Sequence, residues 1–315
     1  MSRRNRKNNH RKNTQNRYKQ EITRRCNSTI DQYVRLAQGE GFGIGNKTTI
    51  VETPHGPLIH IDRGGNVLAI VHLDTVGDTT PQWKGNRVTC TQLDDRLGLW
   101  VILDLLPSLT NVKYDILLTD SEEIGESTAQ YFDPQAFAPE KQYNWVFSFD
   151  RRGNDCVLYE YTDRDTDDLI TSYGWKSGVG AFSDICSVEH LGIKGFNFGT
   201  GYYQQHSPGC HADISQTIAN AKKFVMFLEG EHTTLLPHTM VEYVEDNGWM
   251  VQDNQNTWNN QDNRGDWDNQ GHQSHQCNRG SYNEEIVCED CQYPLQDDWQ
   301  FCPLCGANIL YLINK

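Results

Sequence analysis

The chain has 315 residues, a formal net charge of −14, 37% hydrophobic residues and ten cysteines. No apolar run approaches the ~20 residues a membrane-spanning helix needs, so no membrane contact is expected. No apolar stretch follows the arginines near the start either, which argues against a secretory signal. In chain order, residues 1–25 hold ten Lys or Arg against one acid, Glu21, and are Asn-rich. They are expected to form a basic, disordered arm on an acidic body. Weak contact with nucleic acid or an acidic protein, an intramolecular clasp, or a purely solubilising role stays open for it.

Residues 26–240 are expected to form one α/β domain. Short apolar runs at 67–71, 114–119, 145–149 and 195–199, bounded by turn formers, read as buried strands. The stretches 97–109 and 214–228 read as helices. Strands alternating with helices give a mainly parallel twisted sheet with helices on both faces. Residues 246–283 are dominated by Asn, Gln, Asp and Gly and are expected to be a flexible linker. Residues 284–315 carry two CxxC knuckles, Cys288/Cys291 and Cys302/Cys305. Four thiolates at that spacing can close a tetrahedral structural zinc site and organise a segment too small for its own core. The remaining cysteines are scattered, as in a reducing compartment, and the cytoplasm is the expected location.

Six side chains carry the chemistry. His72, Asp94, Glu122, Glu123, Asp150 and His206 each stand at the mouth of a strand-like run. Open α/β sheets bind ligands outside the carboxyl ends of their strands, so dispersed residues can converge there. Two imidazoles and three carboxylates suit a pair of metal ions sharing one carboxylate, and a further carboxylate is left over as a base.

The ordered set HxD, DD, EE, D and H resembles the co-catalytic dinuclear zinc exopeptidases, a superfamily of aminopeptidases, glutamyl aminopeptidase-like enzymes and carboxypeptidase-like relatives. The resemblance spans residues 45–235 and implies a zinc-dependent amide hydrolase of aminopeptidase type. It implies that Asp94 bridges two zinc ions, that His72 and Asp150 complete one site, and that Glu123 and His206 complete the other. It also implies that Glu122 is the general base, that Asp74 holds the His72 imidazole, and that the Asp94–Asp95 bond is cis. A metal-bound His commonly donates its other N–H to a carboxylate, which gives the Asp74 assignment independent sense. Cobalt or manganese are alternatives to zinc at the paired site. The segment around Cys288–Cys305 resembles a zinc ribbon, making a third, structural zinc.

The substrate is expected to be a peptide or an N-acyl amino acid, and the resemblance does not separate a peptidase from a deacylase. Tyr202 and Tyr203 would line a pocket, although large aromatics at a strand end usually join the core. Two rival classes stay open. One is an inactive scaffold serving as a binding module, against which the intact Glu122 speaks. The other is a phosphoesterase, which would draw on Arg96, Arg151 and Arg152.

Overall fold

A strand covered on both faces has to be apolar throughout, and the segment Val67–His72 meets that condition, with every residue at most 1% exposed. It lies at the centre of the computed structural model, which describes residues 3–39, 46–137, 139 and 141–240. The expected linker and zinc ribbon, with Cys288, Cys291, Cys302 and Cys305, lie outside the described residues.

The order along the chain is α1 (Arg3–Cys26), α2 (Ile30–Gln38), β1 (Lys47–Thr53), β2 (Gly56–Asp62), β3 (Val67–His72), β4 (Gln82–Lys84), β5 (Arg87–Thr89) and α3 (Leu93–Trp100). Next come β6 (Asp115–Thr119), α4 (Pro134–Phe137), β7 (Trp145–Arg151), β8 (Cys156–Val157), α5 (Arg164–Ser172), β9 (Ser177–Gly178) and α6 (Asp184–Ser187). The described part ends with β10 (Gly195–Gly199), β11 (Tyr202–Tyr203), β12 (His211–Asp213) and α7 (Ile214–Glu231). Eight strands form one sheet in the order β1-β2-β6-β3-β7-β10-β8-β9. Its centre, β6-β3-β7-β10, is parallel, and β1, β2 and β8 join antiparallel. A smaller antiparallel sheet runs β11-β12-β5-β4.

The pleat of β3 divides the core. Val67, Ala69 and Val71 face a large cluster with Leu97, Trp100, Phe224 and Phe227 from α3 and α7. Leu68 and Ile70 face a smaller one with Phe132, Phe137, Tyr161 and Ile185. The expected α/β class, with a mostly parallel sheet and helices on both faces, is what the structure contains. The four strand-like runs became β3, β6, β7 and β10. The helix expected at 97–109 is present: the element Leu93–Trp100 has a non-helical step at Asp94 and Asp95, and it continues past Trp100 as a π turn (Val101–Leu105) and a 3-10 turn (Leu106–Ser108). No helix among the described residues is long and apolar enough to cross a membrane.

The N-terminal arm differs from the expectation of disorder. Arg3–Cys26 is a single helix, and its second half docks on the domain. Tyr18 packs edge-on against Trp100 at 5.4 Å, Ile22 and Cys26 are buried in the large cluster, and Trp100 Nε1 donates to Glu21 (3.1 Å). Arg25 and Arg24 both bond Asp104, at 2.7 and 3.0 Å. Tyr18, Ile22 and Cys26 recur every four residues and make an apolar stripe on one helix face. That stripe offsets the ordering cost that an isolated basic arm would not meet, and the boundary drawn at residue 26 falls inside the folded unit.

Candidate active site

The elements converge on one end of the sheet. β6 lies on one side of β3 and β7 on the other, so connections diverge at β3 and leave a crevice at its carboxyl end. His72 is the last residue of β3, and Asp150 stands near the end of β7. The loop after β6 carries Glu122 and Glu123, Asp94 opens α3, and the loop between β11 and β12 brings His206. Asp94 and Asp95 lie outside helical dihedrals and are joined by a cis peptide. Ser121 (φ 62°) and His206 (φ 56°) occupy the left-handed region, which costs a non-glycine residue roughly 1 kcal/mol or more.

Asp94 is the hub. Its Oδ1 lies 3.6 Å from His72 Nε2 and its Oδ2 lies 3.1 Å from His206 Nε2. Asp150 Oδ1 stands 3.4 Å from His72 Nε2, and Glu123 Oε2 stands 2.9 Å from His206 Nε2. Two triplets result, His72/Asp94/Asp150 and Asp94/Glu123/His206, each with its ligand-type atoms within 4.8 Å of one another. Asp74 sits behind them: its Oδ1 is 3.3 Å from His72 Nδ1, and its carboxylate accepts from the backbone N–H groups of Glu122 (3.3 Å) and Glu123 (3.0 Å). A single carboxylate therefore orients one imidazole and the start of the Glu122–Glu123 turn.

The charges need a counterpart. His72 Nε2 and Glu123 Oε1 are buried without a hydrogen-bond partner, and such groups are costly unless something pairs with them. Burial disfavours a charged His72, yet Asp150, Asp74 and Asp94 hold its pKa well above the ordinary imidazole value. Burial likewise opposes a charged His206, and Asp94 and Glu123 raise it to about 10. Asp94 is held below the usual carboxylate range against its burial, by His206 and His72. Burial pushes Asp150 up to about 7 and drives Glu122 well above the carboxylate range. The two imidazoles draw protons to where carboxylate oxygens converge, and a divalent cation would satisfy the same field. Two imidazoles and three carboxylates in this arrangement fit a pair of divalent metal ions.

Other expected residues divide. Tyr202 belongs to the core, with its hydroxyl donating to the Asp150 carbonyl (2.9 Å), while Tyr203 is exposed and stacks on His211. Arg96 is buried with its guanidinium over the Tyr33 ring at 5.6 Å, and Arg151 is paired with Asp155 at 3.0 Å. The sequence reading passed over Ser183, whose hydroxyl donates to Asp150 Oδ2 (2.8 Å), and its neighbour Asp184. Ser-Asp ahead of a short helix looks like an ordinary cap, so no signal set the pair apart.

No protein-family model matches the chain, and no curated protein matches it. Among the solved structures that share its fold are two peptidases. One is the aminopeptidase PepT from Bacillus cereus ATCC 10987, with a TM-score of 0.53 and 11% identity, covering 68% of this chain and 98% of that one. The other is a tripeptidase from Staphylococcus aureus, with a TM-score of 0.51 and 9% identity, covering 67% of this chain and 96% of that one. At such identities the likeness establishes the architecture, which this chain shares with both peptidases.

Proposed function

We propose that this chain is a two-metal amide hydrolase, an exopeptidase of the aminopeptidase type. One observation carries the reading: the two oxygens of Asp94 face two separate imidazoles, and each imidazole has a carboxylate of its own. His72, Asp94 and Asp150 would hold one divalent ion, and Asp94, Glu123 and His206 the other. Bound there, zinc would polarise a substrate carbonyl and make a water acidic enough to attack near neutral pH. Glu122, which belongs to neither triplet, would take the proton from that water and hand it to the departing amine. Asp74 would fix the His72 tautomer, leaving Nε2 as the ligand atom. The free amine of a substrate would find complementary charge in the surrounding carboxylates. Arg151 is engaged with Asp155, which removes one of the cations a phosphoester would draw on.

The test is metal analysis of the full chain together with a screen of aminoacyl p-nitroanilides, N-acyl amino acids and a phosphodiester. The reading expects aminoacyl amides to be cleaved, cleavage to stop on chelation, and zinc or cobalt to restore it. Cleavage confined to N-acyl amino acids would make the enzyme a deacylase. A protein with no metal in its catalytic domain would end the proposal.

A further inference from the structure

The turn that carries Glu122 and Glu123 is held at both ends by one side chain outside the ligand set. Asp184, the first residue of α6, is 1% exposed. One of its oxygens accepts from Thr119 Oγ1 and the other from Ser127 Oγ. Thr119 ends β6 and pairs with His72 across the ladder to β3. Ser127 caps the 3-10 turn Thr128–Tyr131, where the chain leaves the loop. The adjacent Ser183 donates to Asp150 Oδ2, while the other oxygen of Asp150 faces His72. Two neighbouring side chains thus reach the Glu122–Glu123 turn on one side of β3 and Asp150 on the other.

The chemistry of Asp184 suits a clamp. Ser127 Oγ already accepts from the Ala129 N–H (3.1 Å), so its proton is directed to an acceptor, and Thr119 makes the same demand. A carboxylate offers two acceptor oxygens, whereas an amide offers one and turns an NH2 group against the second hydroxyl. Hydrogen bonds to a buried carboxylate are also the stronger kind.

We propose that Ser183 and Asp184 are a positioning pair: Asp184 sets the Glu122–Glu123 turn, Ser183 sets the Asp150 carboxylate, and together they fix the span between the two halves of the metal cluster before any ion arrives. This rests on the two-metal reading above. The pair predicts a split, because Asp150 belongs to one triplet only and Glu123 to the other only. Ser183→Ala should loosen the site of His72, Asp94 and Asp150. Asp184→Asn should loosen the site of Asp94, Glu123 and His206 and misplace Glu122.

The experiment titrates cobalt into metal-free full-length protein, wild type and variants, by calorimetry and visible spectra; thiolate-to-cobalt bands separate any cysteine site. Each variant should weaken one of the two remaining binding steps by roughly 10–100-fold, the usual cost of losing a partner behind a ligand, and leave the other near wild type. Asp184→Asn should lower kcat with little change in KM, and Asp184→Glu should recover part of the loss. Hydrogen exchange on the metal-free protein gives a readout independent of loading: Asp184→Asn should accelerate residues 121–126 and spare β3 and β7. Wild-type affinities and exchange in both variants, or equal loss at both sites with a general fall in stability, would overturn the proposal. If Asp184→Asn does not fold, Ser127→Ala and Ser183→Ala make the same comparison. If the wild type takes up no cobalt outside thiolate sites, the two-metal reading fails, and exchange alone decides whether Asp184 clamps the turn.

Discussion

Glu122 and Glu123 are adjacent, yet they stand in different surroundings. Glu123 reaches His206 at 2.9 Å, whereas burial leaves Glu122 with a strongly raised pKa. Glu122→Gln should therefore keep the metal content while turnover falls by roughly 10²–10⁴-fold, the share a general base commonly supplies. Glu123→Gln should lose metal first, as elemental analysis would record; near-native turnover in Glu122→Gln would reverse the two assignments. At the other end of β6, Asp115 accepts from the backbone N–H groups of Arg63 (2.9 Å) and Gly65 (3.0 Å), from Tyr143 (2.8 Å) and from Lys141. Burial opposes its ionisation, but His60, Lys141 and the two amides outweigh it and hold the pKa below the ordinary 3.8. A depressed pKa stabilises the fold fully above 3.8, and the contribution fades as pH falls below that value. Asp115→Asn should cost roughly 2–4 kcal/mol at neutral pH. Urea unfolding from pH 7 to 3 should show the gap to wild type narrowing in acid; a constant gap would remove the carboxylate charge as its cause.

At the scale of elements, α1 is the part whose removal has the clearest expected effect. Deleting residues 1–26 uncovers Trp100, empties the seats of Tyr18 and Ile22, and takes both arginines from Asp104. The loss of apolar burial alone is roughly 3 kcal/mol or more, so the melting temperature should drop well below that of a chain lacking only residues 1–12. Equal melting of the two truncations would mean that the second half of α1 does not support the domain. The same helix shows where the sequence was hard to read. β3, β6, β7 and β10 were legible because their runs are short, dominated by apolar and aromatic residues and bounded by turn formers, and the six chemical residues were legible because each follows or opens a secondary-structure element. The stripe of Tyr18, Ile22 and Cys26 was hidden among Arg17, Lys19, Arg24 and Arg25, since average composition masks a single apolar face. Ser183, Asp184 and the Asp115 clamp were illegible for another reason. Their partners lie 26–65 residues away, and hydrogen bonds at such separations leave no local pattern.

For the whole chain the metal count is the informative number. The paired site and the four cysteines at 288, 291, 302 and 305 together lead us to expect three zinc ions per chain. Removing residues 280–315 should lower the count to two and leave amide hydrolysis largely intact. A fall to zero would tie the paired site to the C-terminal segment, and an unchanged count would remove the cysteine site. In the full chain, chelation should abolish turnover with little effect on the folded fraction of the α/β domain, α1 included, because an apolar core on each face of β3 holds it without metal.

The docking of α1 also bears on how the molecule is made. The helix is synthesised before its seat, which is formed by residues that follow much later: Trp100 comes 79 residues after the Glu21 it bonds. At about 5–20 residues per second of synthesis, α1 waits roughly 4–16 s for that tryptophan. During that interval Tyr18, Ile22 and Cys26 would lack the Trp100 part of their seat, while the basic residues around them would favour water. The charge that obscures the apolar stripe in the sequence would also keep the unseated segment in water until the rest of the domain arrives to cover it.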